Sequence, residues 1–198
     1  MAYGFVIDLE KCVGCHGCSV ACKGSNGTPP GVTRSKVVRS SEGSYPDAKR
    51  VIRPMLCMMC ENPPCVAVCP VEATYAREED GIVVMDKEKC IGCKLCMDAC
   101  PYEARYYIEE GGYFEDGLNE YEELAYADMP AKAVDKCDFC IQHSGGGTPD
   151  PVCVKACMAE ARHFGELEDM RRMAQERGGD VYLKDAGTGP RVFYLPVV

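Results

Sequence analysis

Sixteen cysteines dominate the chemistry that this chain of 198 residues could perform. They form four groups of four, here named the first to fourth quartets, and no cysteine is left over. The quartets are Cys12, Cys15, Cys18 and Cys22; Cys57, Cys60, Cys65 and Cys69; Cys90, Cys93, Cys96 and Cys100; and Cys137, Cys140, Cys153 and Cys157. Grouped thiolates are typical ligands of zinc and of iron–sulfur clusters, so the pattern predicts metal binding.

An even number of cysteines also fits a secreted disulfide framework. Two observations argue against that interpretation. The N-terminal stretch M-A-Y-G-F-V-I-D has neither the basic region nor the long apolar region of a secretory signal, so we expect no signal peptide of the chain's own. The cysteines also lie in tight groups rather than in the looser scatter of disulfide scaffolds. We therefore expect the thiols to be metal ligands.

The spacing within the quartets favours iron–sulfur cubes. The first and third quartets have the spacing C-x2-C-x2-C-x3-C found in bacterial ferredoxins. Three cysteines in a tight loop can grip one cube, whereas the x3 step is expected to turn the fourth side chain away toward another cluster. Four-cysteine zinc sites and three-iron clusters are the alternatives. Three adjacent thiolates with a displaced fourth suit a cube better, so the sequence predicts four [4Fe–4S] clusters.

The order of the quartets predicts how they pair. Residues 57 to 108 have the length and order of a complete two-cluster ferredoxin, which pairs the second and third quartets and leaves the first and fourth for each other. Pro70 and Pro101 follow the inner quartets, as in ferredoxins, but Lys23 and Met158 take that place in the outer ones, whose pairing rests on elimination. Exchange of the fourth cysteines gives cluster 1 (Cys12, Cys15, Cys18, Cys157), cluster 2 (Cys22, Cys137, Cys140, Cys153), cluster 3 (Cys57, Cys60, Cys65, Cys100) and cluster 4 (Cys69, Cys90, Cys93, Cys96).

An internal repeat predicts two similar halves. The stretch F-V-I-D-L-E-K-C-V-G-C aligns with V-V-M-D-K-E-K-C-I-G-C at a constant offset of 78 residues. Short strands are expected beside the quartets, with a hairpin of residues 73–76 and 82–85. A helix is expected over residues 166–177, with Leu167, Met170, Met173 and Ala174 on one face.

These elements predict an α+β fold: two interleaved ferredoxin-like 2[4Fe–4S] modules with short β-hairpins, loop insertions and one C-terminal helix. The predicted parts are an outer module of residues 1–24 plus 132–165, an inner module of 52–110, insertions of 25–51 and 111–131, and a helix with a tail over 166–198. Trp is absent and Phe occurs five times, so an aromatic-rich core is not expected. The tail R-V-F-Y-L-P-V-V is apolar and should pack on a partner or on the chain's own core.

Charge and hydropathy exclude two classes of partner. The formal net charge is −9 with neutral cysteines, and bound clusters would make it more negative, so nucleic acid is not expected to bind. No apolar run reaches the length needed to span a bilayer, so any membrane association must come through another subunit. Residues 109–135 are rich in acids, and the segment is either a docking loop or a solvated insertion. The three histidines (His16, His143 and His163) are interpreted as ordinary polar residues.

The quartets in this order, with C-x2-C-x4-C-x3-C-P as the second and a long gap in the fourth, resemble one known family. It is the four-cluster iron–sulfur subunit of molybdopterin oxidoreductases of the dimethyl-sulfoxide reductase type, whose relatives serve polysulfide, thiosulfate and arsenate reductases. The small subunit of pyrogallol–phloroglucinol transhydroxylase is also similar. The resemblance covers roughly residues 3 to 165 and the tail G-T-G-P-R-V-F-Y.

The resemblance implies a non-catalytic electron-transfer subunit. Its partner would be a large catalytic subunit with a molybdenum or tungsten bis-pterin centre, nearest to cluster 1. Clusters 2, 3 and 4 would follow in that order toward a quinone-linked membrane subunit. Some relatives have Trp at the second position of the third quartet and hold a three-iron cluster there. This chain has Cys93 at that position, which implies a full cube. Such a subunit would be associated with the cell envelope through its partners, periplasmic by co-export or cytoplasmic.

Two other functions remain as alternatives. A soluble polyferredoxin would carry the same clusters without a permanent partner. An enzyme or sensor would need a cluster that lacks one cysteine ligand, and no quartet lacks one.

Overall fold

The structure is a computed structural model that describes residues 1–114, 117–145 and 147–197. Its strands are β1 Tyr3–Asp8, β2 Lys36–Glu42, β3 Lys49–Met55, β4 Thr74–Ala76, β5 Val83–Met85, β6 Arg105–Tyr107, β7 Val134–Lys136, β8 Arg162–Glu166, β9 Asp180–Val181 and β10 Val192–Leu195. Its α-helices are α1 Gly17–Asn26, α2 Pro64–Ala67, α3 Leu95–Asp98, α4 Glu120–Ala125, α5 Val152–Lys155 and α6 Leu167–Glu176. Short 3-10 helices cover Ile141–His143 and Lys184–Ala186. The mixed α and β content in small sheets is as predicted.

Four residues of the predicted parts lie outside the described residues. Glu115 and Asp116 belong to the predicted acidic insertion, Gly146 to the predicted outer module and Val198 to the tail.

β1 is an inner strand of the largest sheet, whose order is β8-β1-β10-β9. It pairs in parallel with β10 and antiparallel with β8. Because both faces of this part of the sheet are covered, all six residues of β1 are buried. Such burial explains why F-V-I reads as a continuous apolar run rather than as an alternating strand. The C-terminal tail therefore packs in the chain's own core, which is one of the two places predicted for it.

Helix α6 covers one face of this sheet. Its buried residues Leu167, Met170 and Ala174 are three of the four predicted to share a face. Met170 and Ala174 form a core cluster with Val6 of β1 and Leu195 of β10. The predicted C-terminal helix is thereby confirmed.

The short strands beside the quartets are also confirmed. β4 and β5 form the predicted antiparallel hairpin, in which Thr74 lies opposite Met85. β6 pairs antiparallel with β7, although 26 residues separate Tyr107 from Val134. This pairing joins the strand that follows the third quartet to the strand that precedes the fourth.

One expectation about the architecture needs correction. Helix α1 has ten residues, as many as α6, so the C-terminal helix is not the only long one. β2 and β3 form a hairpin of seven residue pairs, which spans the predicted boundary between the insertion 25–51 and the inner module; that boundary remains a prediction. α1 was missed because its apolar face consists largely of cysteine and small residues, which give little amphipathic contrast.

An aromatic cluster lies in the core although Trp is absent and Phe occurs only five times, which corrects a second expectation. The ring of Phe5 lies 4.9 Å from both Phe139 and Phe164, and Tyr3 stacks on Phe164 at 5.6 Å. Phe139 stands between two cysteines of the fourth quartet, so this cluster packs beside a metal-binding loop. The amino-acid composition did not predict this cluster because it does not show that four aromatic residues lie together at one place.

Replacing Gly27 with alanine is expected to lower the midpoint temperature of thermal unfolding of the chain with its metal centres bound. Gly27 ends α1 with φ +53°, and a Cβ there would lie 1.9 Å from the carbonyl oxygen of Ala125 at the end of α4. The left-handed backbone and the clash together should lower the free energy of unfolding by about 2 kcal/mol or more. The midpoint can be measured anaerobically by circular dichroism.

The matched control is Gly24→Ala in the same helix. A Cβ at Gly24 meets no described atom within 4 Å, and alanine favours the helix by about 0.5–1 kcal/mol over glycine. Its midpoint should equal or exceed that of the unmodified chain. An unchanged midpoint for Gly27→Ala would show that α4 does not pack against the end of α1.

Candidate metal centres

Each of the two repeated segments brings the chain into its cysteine loop by the same turn. The side chains of Asp8 and Asp86 each accept hydrogen bonds from the backbone amides two and three residues later, at 3.1 to 3.2 Å. Gly14 and Gly92 then adopt left-handed backbone, with φ +69° and +68°. Left-handed backbone favours glycine because it has no Cβ, which is why both loops read C-x-G-C. The 78-residue repeat thus corresponds to repeated local structure.

Two cavities are each lined by four cysteines. One is lined by Cys12, Cys15, Cys18 and Cys157. The other is lined by Cys57, Cys60, Cys65 and Cys100. These are the residues that the sequence assigns to clusters 1 and 3.

The four cysteines assigned to cluster 2 are all buried. Burial, together with the charges of Cys153 and Cys140, raises the pKa of the Cys22 thiol to about 12. Burial likewise raises the pKa of Cys137, and the charge of Cys22 is the next contribution. Helix α1 of the first quartet packs against α5 of the fourth. The structure therefore brings Cys22 close to cysteines that follow it by more than a hundred residues.

The cysteines assigned to cluster 4 are described by their neighbours. Burial raises the pKa of Cys96, and the charge of Cys90 adds to the increase. Arg105 acts on the pKa of Cys96 and also on that of Cys69, so it lies near both. Although burial opposes the change, backbone amides at Thr74 and neighbouring positions lower the pKa of Cys69. Cys93 is exposed. The ligand assignment of all sixteen cysteines remains a prediction.

The fourth cysteine is separated from the loop in a different way than expected. Cys18 and Cys22 lie four residues apart in α1, and both are buried. Residues four apart share a face of a helix, so the x3 step does not turn Cys22 away. Instead it moves Cys22 one turn along the helix axis. That displacement takes it toward the fourth quartet.

Charge interactions link the cysteine sets in pairs. The charge of Cys18 contributes to the raised pKa of Cys153, after burial, and so links the first set to the second. The charge of Cys57 acts in the same way on Cys137, and that of Cys65 on Cys96. The sets assigned to clusters 1, 2, 3 and 4 are therefore neighbours in that order.

The sequence analysis missed several polar residues beside the cysteines. Arg162 donates to the sulfur of Cys153 at 3.4 Å. The hydroxyl of Thr188, in the tail, lies 2.6 Å from that of Tyr102 and lowers the pKa of Cys60, which burial raises. Arg34 forms a two-armed ion pair with Asp135 at 2.6 and 2.7 Å. A signal existed for one pair, because E-A-R follows the fourth cysteine of both the third and fourth quartets, ending at Arg105 and Arg162.

His16 lines the same cavity as Cys12, Cys15, Cys18 and Cys157. His143 lies 3.1 Å from the side-chain oxygen of Asn26, which places it in a polar network near Cys22. Burial lowers the pKa of His163, and its Nε2 has no hydrogen-bond partner among the described residues. Their interpretation as ordinary polar residues remains a prediction.

Residues in this arrangement fit iron–sulfur clusters. The thiols converge on cavities, backbone glycines permit close approach, and amide groups reach the sulfurs, as where Val134 donates to Cys90 at 3.4 Å and Ala161 to Cys157 at 3.3 Å. Such N–H to sulfur bonds help to set cluster potentials. Thiols with raised pKa values become thiolates only when a metal centre binds them. Binding of the clusters should therefore release protons from the cysteines.

Comparison with known proteins agrees with this fit. The family described as the 4Fe-4S dicluster domain matches residues 48–122, a range that contains the second and third quartets. The fold and the site therefore define a ferredoxin-like protein that binds [4Fe–4S] clusters.

Whole-chain relatives are subunits of reductases. The chain is 40% identical to a subunit of the tetrathionate reductase of Salmonella typhimurium, over 98% of this chain and 72% of the relative. It is 37% identical to the arsenate respiratory reductase iron–sulfur subunit of Shewanella sp., over 98% and 96%. It is also 40% identical to a protein of Halobacterium salinarum that is provisionally named as a dimethyl sulfoxide reductase iron–sulfur subunit, over 98% and 78%.

The chain belongs to the family of iron–sulfur electron-transfer subunits of molybdopterin oxidoreductases. It is a non-catalytic subunit type, as predicted. None of the helices in the described ranges is long and apolar enough to cross a membrane.

Proposed function

We propose that this chain holds four [4Fe–4S] clusters and relays electrons between two partners. One partner is a catalytic subunit with a molybdenum or tungsten bis-pterin centre. The other is a quinone-linked membrane subunit or a different redox protein. Bound clusters supply one-electron oxidation and reduction. The chain's own residues hold the clusters in a row, bury the middle of the row and expose its ends.

One observation carries this proposal: the two exposed cysteines belong to the sets at opposite ends of the proposed row. Cys15, assigned to cluster 1, and Cys93, assigned to cluster 4, are the exposed cysteines, whereas every cysteine assigned to cluster 2 is buried. A relay needs this arrangement, because electrons must enter and leave at the surface while interior clusters are shielded from water and oxidants. An enzyme or sensor would need an open ligand position instead.

The same row supports the proposed interleaved modules. β1 precedes the first quartet and β8 follows the fourth, and the two strands pair over five residues. This pairing supports the predicted outer module, 1–24 plus 132–165. The predicted inner module, 52–110, contains the β4–β5 hairpin and connects to the outer one through β6 and β7. β10 adds a strand from the range 166–198.

Apolar side chains surround the exposed cysteines at both ends of the row. Beside the first quartet and the end of the fourth, Met158 is 95% exposed and Val13 is 68% exposed. Beside the third quartet, Ile91 is 63% exposed and Leu95 is 47% exposed. Val13 and Ile91 occupy equivalent positions of the repeat. Apolar side chains next to an electron-entry point favour lasting contact with partner proteins.

The relatives support the choice of partners. They are named as subunits of tetrathionate, arsenate and dimethyl sulfoxide reductases, and each such name implies a complex. The apolar tail no longer supports a partner, because β10 places it in the chain's own sheet. The argument against a free polyferredoxin now rests on the exposed apolar residues at the two ends, which favour lasting contact with a partner.

Two measurements test the proposed function together. Anaerobically purified chain should contain about sixteen irons, as four cubes require. Size-exclusion of native extract should show it in a larger complex that contains molybdenum or tungsten. About eight irons or stoichiometric zinc would refute the four clusters, and elution of the chain alone would favour the polyferredoxin.

Replacing Met158 with glutamate is expected to release the catalytic subunit. The change places a charge in an apolar contact at the cluster 1 end, which should reduce co-purified molybdenum or tungsten about tenfold or more. Ile91→Glu is the matched control, because it makes a similar change at the other end and should leave the catalytic subunit bound. Equal recovery of the catalytic subunit with both variants would contradict the assignment of the two ends.

A further inference from the structure

Three basic side chains are buried among the cysteine sets. Arg162 is 3% exposed, Arg105 is 5% exposed and Lys136 is 2% exposed. In the described part of the chain, none of the three forms an ion pair with a carboxylate. Arg34 shows the contrast, since it is equally buried and is paired with Asp135 at 2.6 Å. A buried charge without a partner costs several kcal/mol, so the three cations need another source of negative charge.

Arg162 lies between the sets assigned to clusters 1 and 2. Its guanidinium donates to the sulfur of Cys153 at 3.4 Å and to the hydroxyl of Ser35 at 3.0 Å. Arg162 also lines the cavity formed by Cys12, Cys15, Cys18 and Cys157. Cys153 belongs to the second set and Cys18 to the first, so one cation faces both.

Arg105 has the equivalent place between the sets assigned to clusters 3 and 4. It donates to the hydroxyl of Thr74 at 2.8 Å. It also lines the cavity formed by Cys57, Cys60, Cys65 and Cys100, and its strand β6 packs against α3, which contains Cys96. Cys65 belongs to the third set and Cys96 to the fourth. Both arginines begin the strand that follows a quartet, five residues after its last cysteine.

Lys136 lies between the sets assigned to clusters 2 and 3. Its ammonium group donates to the carbonyl of Cys137 at 2.6 Å and to the carbonyl of Val83. The sulfur of Met59 is 4.0 Å away, within the second quartet's loop. Lys136 thus joins the fourth quartet's loop to the second, where Cys137 and Cys57 are neighbours.

We propose that Arg162, Lys136 and Arg105 are the counter-charges of the electron relay, each raising the reduction potentials of the two clusters beside it. This inference rests on the four clusters of the proposed function. Clusters held by four thiolates are anionic, and reduction adds one further negative charge. A fixed cation in a low-dielectric interior favours the reduced state and so raises the potential. With one cation in each gap of the row, neighbouring clusters share a charge, which keeps their potentials close.

The test is a redox titration, monitored by electron paramagnetic resonance, of the full chain loaded with clusters. In Arg105→Gln, two of the four clusters should show a reduced-to-oxidised ratio at least about tenfold lower at a given potential, which is about 59 mV for one electron. Arg162→Gln should affect the other two. Lys136→Gln should affect one cluster of each pair. These overlapping pairs would also order the clusters independently of the cysteine assignments.

Matched controls separate local charge from net charge. Lys94→Gln and Lys11→Gln remove the same charge beside Cys93 and Cys12, but both lysines are exposed. Solvent screens the charges of these two lysines, so the reduced-to-oxidised ratios of the clusters should change by less than about threefold. Arg105→Lys keeps the buried charge and should also stay within about threefold.

The inference can fail while the proposed function stands. Glutamine variants that carry about sixteen irons but keep all four potentials would overturn it, as would equal shifts of all four clusters. If Arg105→Gln does not bind its clusters, the test uses Arg105→Lys instead. Cluster potentials equal to those of the unmodified chain support the inference, and a tenfold change in the reduced-to-oxidised ratio overturns it. Fewer than about sixteen irons in the unmodified chain would instead refute the four clusters.

Discussion

Serine in place of Cys22 is expected to damage the cluster held by the distant fourth quartet, not the one held by the first. Iron should fall from about sixteen per chain to between about twelve and fifteen, depending on whether the cluster is lost or keeps three irons. The physical reason is the position of Cys22 on α1. It lies one turn beyond Cys18, and after burial the charges that raise its pKa are those of Cys153 and Cys140.

Double variants make this prediction sharp without any spectral assignment. If Cys22 and Cys140 serve one cluster, Cys22→Ser combined with Cys140→Ser should lose little more iron than Cys140→Ser alone. Cys22→Ser combined with Cys15→Ser should affect two clusters, and its loss should be close to the sum of the single losses. The reverse pattern of iron contents would show that Cys22 belongs with Cys12, Cys15 and Cys18.

Removal of iron is expected to abolish cooperative folding of the chain. The main core cluster contains the side chains of five cysteines, namely Cys18, Cys65, Cys96, Cys137 and Cys153. The sheets are small, three of them having only two strands. Without clusters, the cysteine-lined cavities would stay unfilled and three buried cations would lack a counter-charge. Metal-binding free energy is then folding free energy, as in other small metal-dependent domains.

Chain produced without iron should therefore show no sharp thermal transition and rapid proteolysis throughout. Anaerobic reconstitution with iron and sulfide should restore both properties. Phe5→Ala in the loaded chain provides a comparison, because loss of a buried ring typically costs about 3–5 kcal/mol and should lower the midpoint without removing the transition. A sharp transition in chain shown to contain no iron would mean that the polypeptide core folds alone.

Much of the local structure could be predicted because it depends on nearby residues. The hairpin of β4 and β5, the helix α6 and the turns at Asp8 and Asp86 follow from turn chemistry, periodicity and a repeat of short segments. The prediction of four metal sites comes from counting ligands in groups. These features need only a few consecutive residues, so the sequence contains them in readable form.

The missed elements depend on contacts across the chain. The hairpin of β2 and β3 lies in a segment without an alternating apolar pattern, because its side chains are largely exposed or only partly buried. Arg105 and Arg162 look like ordinary surface residues in the sequence. Their burial becomes interpretable only where two cysteine sets meet, because basic residues are rarely buried without a partner.

From the sequence alone came the number of thiol quartets, the preference for iron–sulfur cubes over zinc, the family resemblance and a hypothesis for which cysteines share a cluster. Ligand spacing carries that information because metal coordination restricts which residues can be neighbours. Only the tertiary structure decided that Cys22 lies beside the fourth quartet, that the tail enters the central sheet and that cations stand between the cysteine sets. Those facts arise from packing between residues far apart in the chain, which spacing cannot encode.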